Sequence, residues 1–365
     1  MVLIVITTSL IFLTFLCITQ ALNVAVFGGS GFVGRRVCST LVKTGCNVVS
    51  ISRSGAPPSY YTNDEEWAKK VEWLKINDNE DKFELPSSID AAVSCVGTVD
   101  PVDEWVQLFG LGFDNDKLRK ENGDVNENFC KIAKEAGAKR FVFVSVSYEV
   151  AKALEGPIAG YLDGKRQAEH AAAELFGNEN TVVVGPSLIY GGNRFPKLGK
   201  FYRSFVESAP AKAYVGGNDF LRSLSAAPLE DWVEKMLFSS PIDVDTVSRV
   251  ISAGALDMIE RDMVGTRKQE FYGTNGKPVF YDDVLYLDGA KEIERIDKLV
   301  QVVPSEERTT KVSKKTTPPN KNQPYAEGAL IGKKPYLFPI PAIGVFLYIF
   351  WAVATEQFVQ VQVVS

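Results

Sequence analysis

The chain has 365 residues, room for one large α/β domain with appendages, and a formal net charge of −5 from 40 Lys and Arg against 45 Asp and Glu. No basic excess is present to neutralise phosphates, so nucleic acid is not expected as a partner. One histidine, His170, and five cysteines without a C-x-x-C pair argue against a Ser-His-Asp triad and against a metal site, and leave acid–base chemistry to Tyr, Lys, Asp, Glu or Ser.

Residues 1–22 are apolar and uncharged, a length that suits a signal peptide or a membrane leader. They lack the arginines of a mitochondrial presequence, and cleavage near Ala21 would leave the next element intact. A strand is predicted over 23–28, running into Gly28-Gly29-Ser30-Gly31-Phe32-Val33-Gly34 and a helix over 32–44 with Val37, Leu41 and Val42 on its apolar face. Strand, glycine turn and helix N-terminus form a dinucleotide-binding corner. Gly28 permits the tight turn, Gly31 lets backbone N–H groups approach a pyrophosphate, and Gly34 lets the helix pack on the strand.

Strand two, 47–52, ends in Ser52-Arg53, where an NAD-preferring site carries an acidic residue for the ribose 2′-OH. Arg53, with Arg35 or Arg36, is expected to hold a 2′-phosphate, which favours NADPH over NADH. Strand three, 71–76, is followed by Asp78, placed at the adenine side of the site, and strand four, 91–97, ends in Cys95, Val96 and Gly97. A helix over 116–136 leads to strand five, 140–147. Ser145 and Ser147 stand at its carboxyl end, where a hydroxyl either bonds a substrate oxygen or satisfies local backbone.

The next helix, 160–176, carries Tyr161 and Lys165 four residues apart, hence on one face. A lysine ammonium beside a phenol is expected to lower the tyrosine pKa from about 10 toward neutrality. Such a tyrosine can protonate a carbonyl oxygen while a nicotinamide delivers hydride. Strand six, 181–185, leads to Pro186, helices are predicted over 195–206 and 229–238, and 244–302 reads as either helix or strand. Residues 304–335 form a polar, Pro-containing linker. Residues 336–354 are uncharged and follow Lys333-Lys334, so they either contact a membrane or pack back on the protein.

The alternation implies an α/β chain with a Rossmann-type doubly wound parallel sheet in a domain over 23–255. Residues 256–303 are expected as a small C-terminal, substrate-side extension, followed by the linker and the apolar C-terminal segment.

The G-x-x-G-x-x-G turn, together with VSISRSG, AVSCVG, KRFVFVSVS, GYLDGKRQAE and VVVGPSLIYGG, resembles the atypical short-chain dehydrogenase/reductases over residues 23–240. Within them the chain is similar to a branch holding the NADPH-binding accessory subunit of mitochondrial Complex I. The fungal coenzyme Q biosynthesis reductase-like protein and plastid relatives in plants belong to the same branch. The resemblance implies that Gly28, Gly31, Phe32, Val33 and Gly34 bind the pyrophosphate and that Ser52 and Arg53 take the 2′-phosphate end. It further implies that Cys95, Val96, Gly97 and Pro186 line the cofactor and that Tyr161 and Lys165 contact the nicotinamide ribose; Ser145, at the carboxyl end of strand five, is taken with them as a catalytic candidate from its position. Two positions depart from the pattern. The serine of active reductases aligns with Val146, and Gly185-Pro186-Ser187 replaces Arg-Pro-Gly.

Two functions are expected on these grounds. One is an NADPH-dependent oxidoreductase acting on a lipophilic quinone, isoprenoid or similar carbonyl at an organelle membrane, in a mitochondrion or plastid. The other is a non-catalytic NADPH-binding scaffold of a membrane protein complex. The intact Tyr161/Lys165 pair speaks for the first and Val146 for the second.

Overall fold

The computed structural model describes residues 21–57, 66–76, 83–86, 88–98, 113–154, 158–192, 194, 196–223, 234, 237–264, 270–272, 278–280 and 284–300. Residues 1–20 of the leader, Asp78, most of the helix expected at 229–238, the linker 304–335 and the apolar segment 336–354 lie outside them. Among the described residues no helix is long and apolar enough to cross a membrane.

Chain order gives β1 (Asn23–Phe27), α1 (Gly34–Lys43), β2 (Asn47–Ser52), α2 (Glu66–Lys69), β3 (Val71–Lys75) and β4 (Ala91–Ser94). Next come α3 (Asn115–Arg119), a π-helical turn (Lys120–Asp124), α4 (Val125–Glu135), β5 (Arg140–Val144), α5 (Tyr148–Leu154), α6 (Ala159–Phe176) and β6 (Thr181–Gly185). The remainder is β7 (Ile189–Tyr190), α7 (Pro196–Val206), α8 (Ala209–Ser223), β8 (Ile242–Asp243), α9 (Val244–Ala255), β9 (Glu270–Tyr272), β10 (Pro278–Phe280), β11 (Leu285–Asp288) and α10 (Gly289–Val300).

Seven strands form one sheet in the order β11-β6-β5-β4-β1-β2-β3. Every pairing in it is parallel. This is the doubly wound arrangement, with its order reversing between β1 and β4, and ligand sites in such sheets open at the strands' carboxyl ends there. The strands are short apolar runs because both faces are covered. Along β1 the period of two sends Val24 and Val26 into one core with Val37, Leu41, Val250, Ile251 and Ile293. It sends Ala25 and Phe27 into a second core with Phe129, Cys130, Phe141, Phe143, Ala168 and Ala172. Phe27 and Phe129 stack with ring centroids 4.4 Å apart, which ties α4 to the strand that leads into the glycine turn.

The span read as helix or strand, 244–302, contains both. Asp243 caps α9 by accepting from the Asp245 N–H, and α9 packs into the first core. β11 pairs with β6 from Leu285↔Val182 to Asp288↔Gly185, so the region expected as an extension supplies an edge strand of the same sheet.

Candidate functional site

The glycine turn closes on itself. Gly28 sits at φ +78°, donates its N–H to Ile51 O at 2.8 Å and accepts from the Gly31 N–H at 2.9 Å. A methyl group added at Gly34 would lie 2.2 Å from Gly28 O, so only glycine lets α1 start this close to β1. α1 has no side-chain cap and no acidic residue in its first turn, which leaves the positive end of its dipole for an anion. Phe32 lies over this turn, with the guanidinium carbons of Arg194, Arg36 and Arg35 at 4.4, 5.0 and 5.6 Å from its ring centroid. Gly34→Ala is expected to destabilise the protein by about 1–3 kcal/mol and to weaken dinucleotide binding about tenfold or more. Thermal melts and a nicotinamide fluorescence titration check both.

At the end of β2 the arginines part company. Arg36 pairs with Asp245 at 2.9 Å and bonds Phe32 O at 3.0 Å, and Arg35 is buried. The expectation that one of them joins Arg53 at a 2′-phosphate is therefore corrected for Arg36. Its guanidinium is drawn to the α9 N-terminus, under Gly192, where an added methyl would collide with it. Arg53 is exposed. Ser52 is buried and turned inward, its hydroxyl accepting from the Gly55 N–H at 3.2 Å.

The exits of β4 and β5 are held by α6. The Lys165 ammonium donates to Val96 O and to Val144 O, both at 3.0 Å, bridging the two strands. Gly97 is exposed just beyond, and a methyl there would lie 2.6 Å from Lys165 Nζ. This leaves a bare backbone surface that a flat cofactor ring can approach. Burial pushes the Lys165 pKa down to about 8, while the neighbouring Glu169 and Cys95 act to raise it. Cys95 itself is pushed up to about 12 by burial, so its thiol stays protonated at neutral pH.

Tyr161 is half-buried, with Lys165 Nζ 5.7 Å from its ring centroid. The expected lowering of its pKa is reversed. Burial first, and the Glu169 carboxylate second, push the phenol above its ordinary value, and Lys165 directs its ammonium at backbone carbonyls. Tyr161 thus keeps its proton at neutral pH, as a proton donor must.

Ser145 donates its hydroxyl proton to the buried carboxylate of Glu169. Burial raises Glu169 to about 7, against the lowering effects of the Ser145 hydrogen bond, Arg166 and Lys165. Ser147 donates its N–H to Pro186 O at 2.9 Å, and its buried hydroxyl has no partner among the described residues. Of the two serines, Ser145 is held by Glu169, and the Ser147 hydroxyl is buried without a partner among the described residues.

Three features escaped the sequence reading. Asn122, in the π turn, accepts from the Thr98 N–H at 3.0 Å and donates to Thr98 O and Leu118 O, both at 2.8 Å. Asn126 donates to Asn122 O at 2.8 Å and accepts from Ser94 Oγ at 2.5 Å. Together they fix the loop that carries Cys95, Val96 and Gly97. Gly160 and Gly164 let α6 press on the neighbouring helical segment, where added methyls would lie 1.8 Å from Asn115 O and 2.8 Å from Arg119 O. The signal was present in GYLDGK, a small residue at each end of one turn. Glu169 continues the stride of four from Tyr161 and Lys165 on the same helix.

The NAD dependent epimerase/dehydratase family matches residues 24–217. An uncharacterized chloroplastic protein of Arabidopsis thaliana is 29% identical over 236 residues, 63% of this chain and 70% of that protein. MIOREX complex component 2 of Saccharomyces cerevisiae is 26% identical over 235 residues, 54% of this chain and 82% of that one. Among solved structures, the UDP-glucuronic acid 4-epimerase of Bacillus cereus with NAD superposes with a TM-score of 0.43 at 15% identity, over 78% of this chain and 92% of the other. The yeast methylglyoxal/isovaleraldehyde reductase with NADPH gives 0.40 at 14% identity, over 67% and 76%.

Proposed function

This chain belongs to the NAD dependent epimerase/dehydratase family, and from that premise we propose that it is an NADPH-dependent reductase or dehydrogenase acting on a lipophilic carbonyl, quinone or isoprenoid at an organelle membrane. The observation that carries the reading is Lys165 spanning the β4 and β5 exits beside exposed Gly97, with Tyr161 one turn away on the same helix face. The residues present suit a dinucleotide. Gly31 and Gly34 with the α1 N-terminus would hold its pyrophosphate, Arg53 its 2′-phosphate, and Val96, Gly97 and Lys165 its nicotinamide ribose. When bound, the cofactor supplies or accepts hydride. Tyr161 gives its phenolic proton to the substrate oxygen, and Lys165 places positive charge near the developing phenolate. The uncharged segment 336–354 and the chloroplastic plant relative support an organelle membrane as the setting, whether mitochondrial or plastid.

A non-catalytic scaffold role has two observations in its favour. Ser145 is committed to Glu169, and the yeast relative is named as a component of a complex. A complementation test separates the readings: a Tyr161→Phe protein that restores a deletion strain as well as wild type does supports the scaffold.

Arg53 is exposed, so its bond to a 2′-phosphate is screened by solvent and contributes nearer about 1 kcal/mol than the 1.5–3 kcal/mol, roughly, of a shielded charged bond. Arg53→Ala is expected to reduce the NADPH-over-NADH affinity ratio by about tenfold or less. Parallel fluorescence titrations measure it, and a wild-type protein that binds NADH more tightly than NADPH contradicts the preference.

A further inference from the structure

α7 and α8 carry a surface that the nucleotide chemistry does not use. α7 is anchored from below. Gly199 packs on the Tyr190 ring, the Tyr202 hydroxyl donates to Leu237 O at 2.5 Å, and Arg203 pairs with Glu294 at 2.5 Å and Glu207 at 3.0 Å. With about 3.6 residues per turn, the opposite face shows Lys200, Ser204, Lys197, Phe201 and Phe205 side by side. All five are exposed, Phe201 by 71% and Phe205 by 52%. Phe205 lies 6.3 Å from the Phe238 ring, and Phe238 lies 5.5 Å from Tyr214, itself 41% exposed. Three separate parts of the chain therefore build one aromatic ledge. Exposed Lys197, Lys200 and Lys212 lie on the two helices that carry it, and the one exposed carboxylate of α7's end, Glu207, is paired with Arg203.

We propose that this ledge docks the protein on an anionic lipid surface, with Phe201, Phe205 and Tyr214 entering the headgroup–acyl boundary and the lysines meeting lipid phosphates. An amphipathic helix that joins exposed aromatic rings to lysines suits that interface. Charge decides among occupants. A second copy of the same ledge would set lysine against lysine, and the chain's own segment 336–354 has no acidic residue to meet them. Isolated exposed apolar residues are ordinary, but a contiguous aromatic group flanked by exposed lysines marks an interaction site. Arg194, whose guanidinium lies over Phe32 of the glycine turn, precedes α7 by two residues. The ledge thus follows the glycine turn's Arg194 closely in the chain, and the link to a lipid-dissolved substrate rests on the proposed function above.

The test is sedimentation of the full chain with phosphatidylcholine vesicles, with and without phosphatidylserine. Wild type should bind the phosphatidylserine vesicles and lose binding as salt rises. Phe201→Ser/Phe205→Ser and Lys197→Glu/Lys200→Glu should each reduce the bound fraction about tenfold or more. NADPH fluorescence serves as a folding control, and loss of NADPH binding with vesicle binding intact sinks the proposed reductase but not the ledge. Equal binding by wild type and both variants assigns attachment to another segment and overturns the proposal. So does a dimer, seen by sedimentation velocity, that the phenylalanine variant converts to monomer while vesicle binding is unchanged.

Discussion

Tyr161→Phe should lower turnover by roughly 10²–10⁴-fold while leaving NADPH affinity within about twofold of wild type. The phenolic proton is needed in the transition state, and the ring alone fills the same half-buried space above α6. The raised phenol pKa keeps Tyr161 protonated at neutral pH, ready to donate to a carbonyl oxygen. Lys165→Met should damage both binding and turnover. It strips the bridge from Val96 O and Val144 O, leaving two carbonyls at the strand exits without their donor. Steady-state kinetics with a panel of apolar aldehydes, ketones and quinones, alongside fluorescence titration, measures both variants. A Tyr161→Phe protein with unchanged turnover would remove the catalytic reading and leave the nucleotide site standing.

The second large effect concerns stability and pH. Glu169 is raised from 4.5 to about 7 by burial, so over that window the folded protein keeps a proton that the unfolded chain has released. Stability from this group is therefore full below about pH 4.5, falls as pH rises toward about 7, and changes no further above it. The loss is on the order of 3 kcal/mol. Glu169→Gln keeps an oxygen to accept from Ser145 but cannot ionise. Near pH 5 the variant should melt close to wild type, and near pH 8 it should melt several degrees higher. Melting curves at successive pH values give the answer, and two profiles that run parallel across the window would show that folding leaves the Glu169 pKa unshifted.

Much of the nucleotide corner could be read from the chain because its causes are local. Gly28, Gly31 and Gly34 follow an apolar run, and their spacing states both the tight turn and the close helix approach. β2 and β6 begin and end at the residues read from the sequence, Asn47–Ser52 and Thr181–Gly185, since each is an apolar run between polar turns. β11 was hidden because LYLD is too short to show a period and gains its identity only by pairing with β6. The engagement of Arg36 was equally unreadable, since Asp245 lies 209 residues away in sequence. Tyr161 and Lys165 could be placed on one helix face, but their electrostatics could not. The carbonyls that take the lysine's protons come from Val96 and Val144, on two other strands. Asn122 carries no motif in the sequence, and its role emerges only when Thr98 is brought against it.

The glycine corner, Arg53 and the Lys165 bridge are proposed to form one NADPH site. Native mass spectrometry of the full chain incubated with equal NADPH and NADH tests it most directly. One NADPH per chain is expected, retained in preference to NADH and lost in Lys165→Met, whereas a wild-type protein that carries neither nucleotide would contradict the site.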